Sequence, residues 1–166
     1  DVRTDQHRVA LDAARDAGVR RIVYTSVQGA ETSTAFSPVI QSNRQTEADI
    51  RAHGFDWTVG RNGIYIEPDD AYIATFNREG EIANSAGDGV CGYTTRGELA
   101  AAYANLALDD THSGRTYNLH GAPLTQAELA AYLNRAFGSS LTYRPMTVDA
   151  YRADRRAALG DVMGTI

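Results

Sequence analysis

At 166 residues, with 43% hydrophobic and 22% charged side chains, the chain is long enough for one domain with a substantial core. Its net charge of −5 and pI of about 5.3 argue against general affinity for nucleic acid or an anionic membrane, which needs a basic surface. The balance is that of a cytoplasmic, enzyme-like surface.

Thr4 to Ala17 carries Ala10, Ala13, Ala14 and Ala17 at helical spacing, with Gly18 as a stop. Ile22-Val23-Tyr24-Thr25-Ser26 follows, a short β-favouring run of the kind buried on both faces of a parallel sheet. A polar stretch from Gln28 to Ser37 reads as irregular. The next helix is expected from about Ser42 to His53, closed by Gly54, and Asp56 to Arg61 is a second strand. Helix and strand alternating in this rhythm predict consecutive units of a parallel α/β sheet.

Beyond Arg61 the character changes. Glu67-Pro68-Asp69-Asp70 reads as a helix start leading into Ala71 to Arg78. Gly80 to Ala83 and Val90 to Tyr93 are short strand candidates about the Gly87-Asp88-Gly89 turn. An Ala-rich helix is expected over Gly97 to Leu108, capped by Thr94 or Thr95. Arg115 to Leu119 is another strand, and Thr125-Gln126-Ala127-Glu128 is a capping box opening an amphipathic helix to Phe137 and a Gly138 stop. A strand at Leu141 to Arg144 and a helix at Thr147 to Leu159 complete the reading.

In an open parallel sheet, ligands bind beyond the carboxyl ends of the strands. Two such ends are legible, Tyr24-Thr25-Ser26 and Arg61-Asn62-Gly63, and parallel strands put both on one rim. Hydroxyls at the first and a backbone-permissive glycine at the second can border one ligand. Thr25 and Ser26 serve equally well as strand-end caps.

These residues carry a resemblance. Ala14, Ala17-Gly18-Val19 and Ile22 to Ser26 resemble a passage of NmrA-like and quinone-oxidoreductase-type short-chain dehydrogenase/reductase proteins. Thr46-Glu47, Gly54, Trp57-Thr58 and Arg61 to Tyr65 resemble the family's next passage. Ala86 to Gly89, Thr95-Arg96, Glu98 to Ala100, Thr116 to Leu119 and Thr125-Gln126 follow in the family's order. The resemblance implies the C-terminal part of a Rossmann-like parallel sheet with helices on both faces, over residues 1–66. A small α/β substrate lobe, interleaved with that core, would occupy 67–166.

It also implies NADP, or less often NAD, across the strand ends. Tyr24, Thr25 and Ser26 would lie near the nicotinamide, and Gly63, Ile64, Tyr65 and Glu67 would form a cofactor-contacting turn. Tyr93, Thr94, Thr95 and Arg96 would wall the substrate. The family's Gly-rich pyrophosphate loop belongs upstream and is absent from this chain, so the cofactor site is expected to be incomplete. The chain opens inside a helical pattern without an initiator Met and stops at Ile166 in apolar sequence, so both ends are expected to be truncated.

Where related reductases often carry Lys or His, eleven residues before Gly54, this chain has Asn43. An amide is no general acid. A hydroxyl of Thr46, Tyr65 or Tyr93 could serve, and nothing in the sequence selects among them. The chain contains no Lys at all, which removes a Schiff-base lysine and a Tyr-x-x-x-Lys dyad.

Other signals carry less. The single cysteine, Cys91, rules out an internal disulfide, and His7, His53, His112 and His120 show no metal-ligand spacing. Asp69 and Asp70 suit a helix start without any catalytic role. Tyr65, Tyr72, Tyr93 and Tyr103 fit either an aromatic wall facing a flat substrate or half-buried core positions. The leading expectation is an NAD(P)H-dependent oxidoreductase acting on a small carbonyl or quinone. The alternative is a non-catalytic NAD(P)-binding redox sensor acting through a protein partner. A homodimer is compatible with either.

Overall fold

The computed structural model describes residues 2–31, 37–67 and 70–163. Residues 32–36 of the expected polar stretch, Pro68 and Asp69 of the expected helix start, and Ile166 lie outside them, as do the side chains of Asp70 and Tyr72. The elements run α1 (Val2–Asp16), β1 (Arg21–Val27), α2 (Pro38–Ala52), β2 (Asp56–Asn62), β3 (Ile64–Tyr65), α3 (Asp70–Glu79), β4 (Glu81–Asn84) and β5 (Cys91–Thr94). They continue as α4 (Arg96–Leu108), a 3₁₀ turn (Asp110–His112), β6 (Arg115–Leu119), β7 (Pro123–Leu124), α5 (Gln126–Phe137), β8 (Thr142–Pro145) and α6 (Val148–Met163). Two compact units result, one made of Asp1–Gly63 and Arg96–Leu119, the other of Ile64–Thr95 and His120–Ile166.

In the first unit β1, β2 and β6 form a parallel sheet in that order, with Thr25 opposite Gly60, Ser26 opposite Arg61 and Asn62 opposite Leu119. Side chains alternate between faces along each strand. Ile22, Tyr24 and Trp57 pack with Leu11, Ile50 and Phe55 on the side covered by α1 and α2. On the opposite face, Arg21 Nη2 donates to Leu106 O at 2.7 Å and the Tyr103 ring of α4 lies against Gly60. Helices on both faces of a parallel sheet are the expected Rossmann-like architecture. Gly60 is required by that packing, because a Cβ there would collide with the Tyr103 hydroxyl and ring.

Two helix boundaries depart from the sequence reading by four residues: α6 runs on to Met163 where Leu159 was expected, and α2 begins early. α2 starts at Pro38, four residues before the expected Ser42, with Ser37 extended at its N-cap (φ −76°, ψ 124°). Proline in a first helical turn loses no hydrogen bond, so the polar stretch hides a helix start rather than a break.

The second unit holds two small sheets, β3-β5-β7 and β4-β8. Its core is Ile82, Leu129, Ala130, Leu133 and Leu141, with Phe76, Tyr93 and Tyr143 packed against it. The capping box is present: Thr125 Oγ1 accepts from Glu128 N at 3.2 Å while Thr125 N donates to Glu128 Oε2 at 2.8 Å. Gly138 closes α5 in the left-handed conformation at φ 66°. β3 and β7 span only two residues each, too short for alternation to reveal in sequence.

Candidate functional site

Parallel pairing brings the carboxyl ends of β1, β2 and β6 to one rim of the first unit. Gln28 N donates to Asn62 O at 2.8 Å, and Gly63 N to Leu119 O at 3.0 Å, so the three strand ends are stitched together. Tyr24, Thr25 and Ser26 then diverge by the pleat.

Thr25 is exposed, on the face that carries Gly60. Ser26 is only 1% exposed and donates to Glu47 Oε1 at 2.6 Å. Tyr24 is half-buried, and its hydroxyl donates to Asn43 Oδ1 at 2.8 Å. Burial pushes the Tyr24 phenol above its ordinary range, so it is held neutral.

Around Asn43 lies a polar seam between α1 and α2. Asn43 Nδ2 donates to Val39 O at 2.8 Å, Arg3 Nη1 to Ser42 Oγ at 2.7 Å, and His7 Nδ1 lies 2.8 Å from Thr46 Oγ1. Thr46 is 2% exposed, with its hydroxyl donating to Ser42 O at 2.9 Å. Burial first, and the Arg3 charge second, hold His7 below the usual histidine range.

Beside this seam sits a cluster that the sequence reading passed over. Glu47 has no exposed surface, and its carboxylate accepts from Arg61 Nε at 2.9 Å, Arg61 Nη2 at 2.7 Å and Arg44 Nη1 at 2.9 Å. Burial alone would raise the Glu47 carboxyl. The hydrogen bonds from Arg61 and Ser26 and the charges of Arg61 and Arg44 outweigh it and hold the group below its ordinary value. Arg61 is raised in turn, chiefly through its bond to Glu47. The signal in sequence was a helix whose inward positions at Arg44 and Glu47 are charged, with a second arginine at a strand end.

The second unit carries most of the remaining expected residues. β3 pairs with β5 so that Ile64 lies opposite Tyr93 and Tyr65 opposite Thr94, and Ile66 N donates to Thr94 O at 3.0 Å. Ile64 and Tyr65 are exposed, Thr94 is buried, and Glu67 and Thr95 are half-buried. The Tyr93 hydroxyl accepts from Gln126 Nε2 at 2.8 Å. Arg96 is exposed and opens α4, in the first unit. Tyr103, placed with the aromatic group in sequence, packs on Gly60 within the first unit.

Gly87-Asp88-Gly89-Val90-Cys91-Gly92 has the letters of a dinucleotide fingerprint, G-x-G-x-x-G. It closes a turn, with Gly89 N donating to Ala86 O at 2.9 Å, and leads into β5. Phosphate binding by that motif requires a helix N-terminus immediately after it, so these glycines are turn residues. Among the described residues no group of three or more His, Cys, Asp or Glu could hold a metal, and no helix is long and apolar enough to cross a membrane.

The strand ends of the first unit present neutral donors and acceptors. They offer a hydroxyl and backbone groups, and the nearby carboxylates of Glu47 and Glu31 are both bonded to Arg61.

Residues 1–110 match a protein-family model described as NAD(P)H-binding. The chain is 35% identical over 161 residues to quinone oxidoreductase 2 of Escherichia coli (strain K12), covering 96% of this chain and 54% of the relative. It is 30% identical over 156 residues to an NmrA-like family domain-containing oxidoreductase of Aspergillus flavus, covering 88% and 48%. Among solved structures it resembles an Escherichia coli NADPH-dependent quinone oxidoreductase complexed with NADPH, with a TM-score of 0.82 and 30% identity over 96% of this chain and 58% of that one. The chain spans about half the length of the curated relatives it matches.

Proposed function

The chain belongs to the NAD(P)H-binding family, and from that premise we propose that it supplies the nicotinamide side of an NADPH-dependent reductase acting on a small quinone or carbonyl compound. The observation that carries this reading is the rim of the three-stranded sheet. Its exposed Thr25 hydroxyl stands beside strand ends whose buried polar groups, Ser26 and Asn62, are already bonded within the protein. Such a rim presents a rigid, neutral edge to a ligand.

The bound dinucleotide supplies hydride, and the protein's part is mainly to orient the two reactants and exclude water. Thr25 is assigned a bond to the nicotinamide end. Ser26 and Tyr24 back it from the α2 side, and Gly63 admits close backbone approach. In the same proposal Ile64, Tyr65 and Glu67 contact cofactor, and Tyr93, Thr94, Thr95 and Arg96 serve the substrate. Of the hydroxyls weighed as proton donors, Thr46 is enclosed and donates to Ser42 O, Tyr93 is half-buried, and Tyr65, 45% exposed, is the most open to a ligand. Tyr65 is therefore the preferred donor.

The test is turnover. An upstream-extended form of the chain should oxidise NADPH in the presence of a simple benzoquinone, and Tyr65→Phe should lower kcat more than it raises KM. NADPH binding without turnover of any quinone or aldehyde would overturn the reductase assignment.

A further inference from the structure

We propose that Glu47 is a positioning residue: acting through Arg44, it fixes the Val27–Glu31 loop that forms a wall for the nicotinamide end of the cofactor. The cofactor part rests on the function proposed above.

The geometry runs outward from one carboxylate. Glu47 accepts from Ser26 at the end of β1, from Arg61 near the end of β2 and from Arg44 one turn earlier on α2. Arg44, only 4% exposed, turns the rest of its fork onto the loop, with Nη1 donating to Val27 O at 3.0 Å and Nη2 to Gly29 O at 3.0 Å. Arg61 Nη1 continues to Glu31 Oε1 at 2.8 Å. Gln28 is held from the other side by its bond to Asn62 O. The loop is thus held at the Val27 and Gly29 carbonyls through Arg44 and at the Glu31 side chain through Arg61, and both arginines are bonded to Glu47.

Stability does not require this arrangement. Apolar residues of similar volume commonly replace a buried ion pair without loss. They could not hold two loop carbonyls at fixed positions, which the planar, five-donor guanidinium does. Gly29 strengthens the point. At φ +146° it lies so close to Ile40 that a Cβ would clash, so the loop is seated directly on α2. Charge is spent here on loop geometry beside the exposed Thr25.

The test compares wild type, Arg44→Met and Arg44→Lys in the upstream-extended protein, reading amide hydrogen exchange, NADPH affinity and steady-state kinetics. Lysine keeps a charge for Glu47 but cannot reach both carbonyls. Expected for R44M are exchange at Gln28–Glu31 at least tenfold faster, with β2 amides unchanged, and a KM for NADPH at least tenfold higher. Its kcat at saturating NADPH should stay within twofold, and R44K should shift in the same direction by less.

A purely structural role would lower thermal stability without this KM-against-kcat split. Unchanged exchange in the loop would overturn the anchoring by Arg44. Faster exchange with unchanged KM would overturn the wall. If wild type fails to bind NADPH, the function reading falls and takes the wall with it, and the exchange comparison alone then decides the anchoring. Should R44M not fold, R44K carries the same comparison.

Discussion

The Tyr103 hydroxyl of α4 bonds the carbonyl of Gly60 on β2 at 2.8 Å, with its ring filling the space a side chain at position 60 would occupy. The two residues fit as a complementary pair between helix and strand, and each partner can be altered alone. Gly60→Ala overpacks the interface and should destabilise the first unit by about 1–3 kcal/mol. Tyr103→Phe keeps the ring and loses the hydroxyl's bonds to Gly60 O and Asn62 Oδ1, at a cost of about 1 kcal/mol. Urea midpoints measure both, and G60A should be the more damaging.

Glu47 gives stability a dependence on pH with a defined sign. Its folded-state pKa lies below the ordinary 4.5, so the folded protein holds the proton less tightly than the unfolded chain. The contribution is fully present above about 4.5 and is lost as pH falls through the lower folded value. Removing the carboxylate takes from Arg44 and Arg61 their buried counter-charge and leaves only the exposed Glu31 beside them, at a cost of about 3–5 kcal/mol. Denaturation curves at neutral pH should show that loss for Glu47→Gln. Below pH 4.5 the wild type should approach the variant.

In the second unit, Thr125→Ala removes the cap of α5 and should cost about 1 kcal/mol. Hydrogen exchange should rise first in the opening turn of α5, at Glu128 and Leu129, whose amides lie against Thr125. Equal acceleration throughout that helix would contradict a local cap.

How far the sequence carried the fold depended on whether the signal was local. The Ile22 to Ser26 run, the capping box at Thr125 and the glycine stop at 138 declare themselves within a few residues, and each lies where expected. The start of α2 did not, because Ser37-Pro38 reads as a break to a pattern that weighs proline without its position in the turn. Pairing was the harder case. β4 lies parallel to β8, with Ile82 opposite Tyr143, a partner that no local pattern can name.

The site divides along the same line. The strand-end positions of Thr25, Ser26 and Gly63 were legible because each follows a β-favouring run. The Glu47 cluster was not. Its carboxylate is buried only because Arg61, fourteen residues away in sequence, folds back to neutralise it together with Arg44. Arg44 and Glu47, three apart on a helix, read alone as an ordinary surface ion pair.

Thr25→Val separates binding from stability. The side chain is exposed and the replacement nearly isosteric, so stability should change by less than about 0.5 kcal/mol. NADPH affinity should nonetheless fall, since the hydroxyl is the proposed contact at the β1 end. Unchanged affinity would remove Thr25 from the cofactor site.

The most direct measurement is calorimetric titration of NADPH and NADH into the upstream-extended protein, with the 166-residue chain run beside it. The account predicts micromolar NADPH binding by the extended form and little by the shorter chain, which spans about half the length of the relatives it matches. Absence of binding by the extended form would contradict it, leaving a Rossmann-like sheet with no nicotinamide ligand at its rim.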